Sequence, residues 1–104
     1  MTILKTPNDE KIVVNINNDI RLYRAPIGSE GVDIYTHNAQ SGVIYYYTYT
    51  WSVFQSPGYA LLTPDEVRDR LVHLEGLQGD GRLKSNEIKI AKQYFTGIFD
   101  SMPE

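Results

Sequence analysis

Two carboxylates in the second half of the chain have a spacing that could serve a hard cation. Asp80 and Glu87 are separated by a short segment that begins with Gly81, a residue that permits a sharp turn. Carboxylate oxygens are the ligands that calcium prefers in proteins. Arg82 and Lys84 lie in the same segment and cancel the two negative charges, so a dication would meet no net attraction. We therefore expect no cofactor, and we keep a calcium site on the two carboxylates as the alternative.

Two amphipathic helices are predicted on either side of this segment. Thr63, Pro64 and Glu66 have the spacing of a capping box, so the first helix is predicted to begin there. The second helix is predicted to begin at Ser85 or Asn86. Apolar residues recur at helical spacing in both: Val67, Leu71 and Leu74 in the first, and Ile88, Ala91, Phe95, Ile98 and Phe99 in the second.

The helix-loop-helix of residues 63–99 resembles an EF-hand. Gly81 falls on the sharp-turn position of the EF-hand loop, Leu83 on the apolar eighth position and Glu87 on the twelfth. The resemblance implies calcium ligands at the carboxylates of Asp80 and Glu87 and at the backbone carbonyl of Arg82. EF-hands generally work in pairs, and since one such unit is present, a family-like assembly implies a dimer.

The loop also departs from the EF-hand pattern. Its first and third positions are Gly76 and Gln78, which supply no carboxylate. The alternative interpretation is a glycine-rich connection between two helices, in which Gly79 and Gly81 permit the turn. In that case Glu87 complements the dipole of the second helix and binds no metal.

The first half of the chain has the pattern of antiparallel strands. These are predicted at residues 11–16, 19–25, 32–37 and 43–54, with a tight hairpin at Asn17-Asn18. Tyr59 to Leu62 forms either a short strand or an extended lead into the first helix. We therefore predict an α+β domain over residues 1–104. Its β-rich part spans 11–62, with a sheet of about four strands in residues 11–55, and a helical hairpin in 63–100 packs on one face of that sheet.

The longest predicted strand is unusually aromatic. Its odd positions include Tyr45, Tyr47, Tyr49 and Trp51, and apart from Tyr46 its even positions are more polar. One interpretation places the odd face in the core beneath the helices, with the other face left to water or to a partner. The other makes the aromatic residues a partner surface. The candidate binding residues are Tyr45, Tyr46, Tyr47, Tyr49 and Trp51.

Composition narrows the class of function. Ten basic and thirteen acidic side chains give a net charge of -3, and neither half of the chain is strongly basic, so we expect no nucleic-acid partner. The chain has no cysteine, which favours a cytoplasmic location. It contains no long apolar run, so we expect no signal peptide and no membrane partner.

No catalytic motif is recognisable. His37 and His73 are the only histidines, and the sequence does not bring them together. We therefore expect a small non-catalytic binding or adaptor protein that acts through protein-protein contacts or self-association, including as a homodimer. One alternative is a cation-responsive EF-hand-like module. The other is a small enzyme or ligand-binding protein with a site between the sheet and the helices.

The loop composition predicts that millimolar calcium leaves the protein unchanged. Gly76 offers no ligand at the first position, and Arg82 and Lys84 offset the charge of the two carboxylates. Isothermal calorimetry or an amide-shift titration should show no saturable binding. Saturation with a dissociation constant tighter than about 1 mM, the weak end for natural calcium loops, would contradict the prediction.

Overall fold

The computed structural model describes residues 2–99, which form six strands and two helices. In chain order the strands are β1 (Thr2–Lys5), β2 (Lys11–Val14), β3 (Ile20–Tyr23), β4 (Glu30–Asn38), β5 (Ile44–Ser52) and β6 (Gly58–Leu62). The helices are α1 (Pro64–Glu75) and α2 (Ser85–Tyr94). The predicted α+β class is confirmed. The predicted domain also included residues 1 and 100–104, which lie outside the described residues.

The strands form two separate antiparallel sheets. One is a four-stranded sheet in the order β3-β4-β5-β6, and the other is the hairpin β1-β2. The longest pairing joins β4 to β5, which turn into one another through Gly42 at a φ of 91°. In this register Tyr35 lies opposite Tyr47, and their rings stack with centroids 5.6 Å apart. Since side chains alternate between the faces of a strand, Tyr35 and Tyr47 share one face of the sheet.

Each face of the four-stranded sheet has its own core. The two helices cover one face, where the fully or nearly fully buried residues are Leu22, Tyr23, Ala25, Ile34, Tyr46, Val67, Leu71, Leu83, Ala91 and Ile98. The hairpin β1-β2 covers the other face, where the buried residues are Ile12, Val14, Tyr35 and Tyr47. The molecule therefore has three layers, with the sheet in the middle.

The expectation that the helices cover the odd face of β5 is wrong. Tyr46, at an even position, contacts Phe95 with ring centroids 5.3 Å apart, and Tyr46 is 5 % exposed. Tyr47, an odd residue, is 0 % exposed but packs beneath the hairpin β1-β2. The prediction failed because β1 was not recognised, which left one face of the sheet without a cover.

The predicted hairpin at Asn17-Asn18 is also wrong, since β2 and β3 belong to different sheets. The turn is tight, with the N–H groups of Asn18 and Asp19 donating to the carbonyl of Asn15 at 2.9 and 2.8 Å. It carries the chain from the hairpin layer into the sheet layer. Asparagine is favoured both in hairpin turns and in turns that connect two layers. The composition of the turn therefore does not distinguish the two.

The predicted starts of both helices are confirmed. The Thr63 hydroxyl accepts the Glu66 N–H at 3.2 Å, and the Glu66 carboxylate accepts the Thr63 N–H at 2.9 Å. These bonds hold the pKa of the Glu66 carboxyl below its usual value. The second helix begins at Ser85 but ends at Tyr94, before the last apolar residues of its predicted stripe. Gly97 has a φ of 76°, and Ile98 returns to the core in an irregular segment.

The capping box predicts the effect of Thr63→Ala. Loss of the hydroxyl leaves the Glu66 N–H without its cap, and we expect the free energy of unfolding to fall by about 1 kcal/mol. Chemical denaturation of the variant and the wild type measures the change. Thr96→Ala, at an exposed position outside both helices, is the matched control and should leave stability within about 0.5 kcal/mol. Equal effects at the two positions would show that the cap does not stabilise α1.

Candidate functional site

The loop between the helices places its two carboxylates in different environments. Glu87 is 5 % exposed, and its Oε1 and Oε2 accept the backbone N–H groups of Lys84 at 2.9 Å and Arg24 at 2.8 Å. Asp80 is exposed to solvent. Within residues 2–99, no three histidine or carboxylate side chains form a cluster that could hold a metal ion. A calcium ion at Glu87 would have to share both oxygens with the backbone donors.

The five aromatic residues predicted to form a partner surface are divided between the layers. Tyr46 and Tyr47 lie in the two cores and offer no surface to a partner. Tyr45 and Tyr49 are half-buried on the face that carries the hairpin β1-β2, and the half-buried Trp51 packs against the core on the helix side. Contact of these three with a partner stays a prediction. Val53 and Phe54, which the sequence assigned to the same strand, lie beyond its end at Ser52.

Asp19 collects the polar groups that join the hairpin layer to the sheet. Its side chain is 8 % exposed. It accepts the Tyr47 hydroxyl at 2.6 Å, the Asn15 N–H at 3.0 Å and a hydrogen bond from His37 Nδ1 at 2.8 Å. Burial raises the pKa of the Tyr47 hydroxyl well above its usual value, and the bond to Asp19 raises it further, so the phenol stays a donor. The carboxylate also fixes the His37 ring with its Nδ1 inward.

This network was not predicted. In the sequence, Asp19 is only the first residue of a predicted strand, and His37 is one of two histidines with no evident partner. Because the network residues come from the turn between β2 and β3, from β4 and from β5, only the tertiary fold brings them together. No local spacing in the sequence signals it.

A cavity of about 350 Å³ lies between α1 and the β3-β4 edge of the sheet. Its walls are the ring of Tyr23 and the side chains of Val32, Ile34 and Leu74, with Asp69, Arg70 and His73 of α1 adding polar groups. A mostly apolar cavity with a few polar groups is the usual form of a small-molecule site. This is the region in which the sequence placed a site between sheet and helices.

Two further cavities adjoin one another beside the connection from β3 to β4. One is about 420 Å³ and includes the aromatic residues Tyr35, Tyr49 and Trp51. The other is about 490 Å³ and includes Lys84 and the start of α2. Four residues line both cavities, namely Arg21, Arg24, Ala25 and Ile27.

Large apolar side chains are exposed at the end of the sheet where β4 begins and β5 ends. Ile27 is 96 % exposed in the β3-β4 connection, while Val53 and Phe54 are 70 % and 79 % exposed in the β5-β6 connection. The Val53 N–H donates to the Ser29 carbonyl at 2.9 Å and so holds the two connections together. We call Ile27, Val53 and Phe54 the apolar end. The sequence could have indicated the apolar end, because two apolar residues stand directly before the turn sequence Gln55-Ser-Pro-Gly58.

Comparisons with protein-family models, with curated proteins and with solved structures found no match to this chain. Within residues 2–99, neither helix combines the length and the apolar character needed to cross a membrane.

The Asp19 network predicts different effects at two neighbouring tyrosines. Tyr47→Phe removes the donor of a short bond to a nearly buried carboxylate, and we expect a loss of about 2 kcal/mol in the free energy of unfolding. Tyr45→Phe removes only a 3.4 Å contact to the exposed Glu10 and should cost less than about 0.5 kcal/mol. Denaturant unfolding compares them. Losses of similar size would show that the Tyr47 bond contributes no special stability.

Proposed function

We propose that this chain is a non-catalytic binding protein that contacts a protein partner or a second copy of itself through the apolar end. The observation that carries the proposal is the exposure of Ile27, Val53 and Phe54 on two connections that are hydrogen-bonded to each other. Single exposed apolar residues are common on protein surfaces. A group of large ones with no cover marks an interaction surface more often.

The energetics favour a contact that forms and dissociates readily. Complete burial of one such side chain contributes about 1.5 to 3 kcal/mol, and three of them contribute more than a surface ion pair. Association costs a substantial part of this gain in lost motion. The segment 53–57 contains no charged residue, so its burial would not strip water from an ion.

The proposed contact is limited to the apolar end, which the half-buried aromatic residues of β5 border. Trp51 lies opposite Gly31, near the same end of the sheet. Tyr45 lies near the opposite end, by the turn at Gly42. The absence of cysteine supports a cytoplasmic setting for the interaction.

The cavity of about 350 Å³ supports a second candidate function, the binding of a small apolar molecule between the sheet and α1. The cation-responsive alternative rests on Asp80 and Glu87 alone. It is the weaker of the two, because Glu87 already accepts two backbone hydrogen bonds.

The proposed function predicts that Phe54 is a contact residue and that Val43 is not. Val43 is 47 % exposed at the opposite end of the sheet and serves as the matched control. A photo-crosslinking amino acid at position 54 should yield a specific covalent adduct in cells that express the protein, and the same group at position 43 should not.

Sedimentation equilibrium of the purified protein distinguishes a second copy from a different partner. A concentration-dependent dimer that Phe54→Ser abolishes and Val43→Ser preserves identifies the second copy. An adduct of larger mass with a monomeric purified protein identifies a different partner. A monomer at all concentrations, with no adduct above that of position 43, would contradict the proposed function.

A further inference from the structure

The two adjoining cavities beside the β3-β4 connection form one groove with two chemically different halves. Arg21 and Arg24 line both cavities and therefore lie where the halves meet. The aromatic half includes Tyr49 and Trp51, and the cationic half extends to Lys84. We propose that this groove binds a nucleoside monophosphate, with its base against Trp51 and its phosphate on the two arginines.

Trp51 is held in place by its surroundings. Its Nε1 donates to Asp33 Oδ1 at 3.1 Å. Its ring lies so close to Gly31 that a Cβ added to that glycine would come within 2.6 Å of the Trp51 ring atom Cζ2. A ring that is already fixed loses little freedom when a base stacks on it, and stacking between a base and an aromatic ring is a favourable contact.

Asp33 provides an acceptor in the aromatic half. It is 7 % exposed, and its Oδ1 accepts the N–H groups of both Trp51 and Ala25. None of the residues 2–99 donates a hydrogen bond to its Oδ2, and the residue lines the cavity. A guanine base presents neighbouring N–H donors on one edge, whereas the single N–H of uracil lies between two carbonyl oxygens that a carboxylate repels. The groove should therefore prefer guanine to uracil.

The cationic half provides donors for a phosphate. Among the described residues, Arg21, Arg24 and Lys84 have no carboxylate within ion-pair distance. Two arginines at the junction can bind phosphate oxygens in the bidentate manner that the guanidinium group favours. The start of α2 at Ser85 lies in the same half, but the Glu87 carboxylate already accepts the Lys84 N–H there, so the attraction for phosphate comes from the three cationic side chains.

The charges in the groove limit the ligand to a small anion. The three cations are matched in number by Asp33, Asp80 and Glu87, although Glu87 has both oxygens on backbone donors. Attraction for phosphate therefore comes from the placement of the donors and not from net charge. A nucleic-acid strand would need a longer basic surface, and the net charge of -3 argues against one.

Trp51 is the only tryptophan of the chain, so its fluorescence reports directly on the groove. Guanosine 5′-monophosphate should quench the emission saturably, and uridine 5′-monophosphate should bind several-fold more weakly. Inorganic phosphate should compete without quenching. No saturable change up to about 1 mM of the guanine nucleotide, after correction for the exciting light that the base itself absorbs, or equal affinity for inorganic phosphate and the nucleotide, would overturn the proposal.

Arg24→Gln tests the phosphate contact while keeping the backbone N–H that Glu87 accepts. We expect its affinity for guanosine 5′-monophosphate to fall about tenfold, with that for guanosine unchanged. Arg68→Gln replaces an exposed arginine of α1 that is paired only with Asp65, and it should bind like the wild type. Equal affinities of the two variants would overturn the proposal.

Asp33→Asn tests the base contact, and it should bring the affinities for the guanine and uracil nucleotides together. A retained preference for guanine in a folded variant would overturn the assignment of Asp33.

The Phe54→Ser variant should keep nucleotide binding. Failure of this inference and failure of the proposed function are therefore distinguishable.

Discussion

The layered arrangement depends on the hydrogen bonds that Asp19 accepts. At this residue the chain leaves the hairpin layer and enters the four-stranded sheet, and its carboxylate binds one group from the turn, one from β4 and one from β5. Hydrophobic burial alone would allow the hairpin β1-β2 to slide over the flat tyrosine rings beneath it, because that force has no direction. The three bonds to one nearly buried carboxylate fix its position.

Two other buried carboxylates act in the same way. Asp33 accepts the N–H of Ala25, and Glu87 accepts the N–H of Arg24, so both bind the backbone directly after β3 ends. Asp19 likewise binds Asn15, directly after β2 ends. At each of these points the chain leaves a strand, and its backbone N–H groups lose the hydrogen bonds that a neighbouring strand would accept. An acidic side chain supplies the missing acceptor, from the same turn for Asp19, from β4 for Asp33 and from α2 for Glu87, and the charge is stabilised by the donors it receives.

Local features of this fold could be predicted from the sequence, and long-range ones could not. The capping box at Thr63 and the start of α2 at Ser85 follow from residues a few positions apart, and both predictions are confirmed. The long β5 strand was predicted from its aromatic and β-branched composition. β1 was missed, because four residues of mixed polarity have too little pattern to indicate a strand. This omission also led to the wrong assignment of the two sheet faces.

The candidate sites likewise divide into local features that the sequence predicts and long-range contacts that it does not. The loop residues Asp80 and Glu87 were found by their spacing, but the bond between Glu87 and Arg24 spans most of the chain and has no local signal. The sequence does not single out Arg21 and Arg24, because two arginines at and just beyond a strand are unremarkable until the structure places both with Trp51 around one cavity. Val53 and Phe54 were assigned to a strand because the sequence does not mark where pairing with the neighbouring strand stops.

The position of the hairpin β1-β2 has a consequence for the order of assembly. The hairpin precedes β5 and β6 in the chain and so leaves the ribosome before them, yet it packs on Tyr47 of β5, and β1 contacts β6. Until the residues of β6 have been synthesised, the apolar side of the hairpin has no complete surface on which to dock. An isolated two-stranded hairpin has little stability in water. The hairpin is therefore synthesised before the strands on which it packs and becomes ordered only after them, so its apolar side stays exposed to water in the interval.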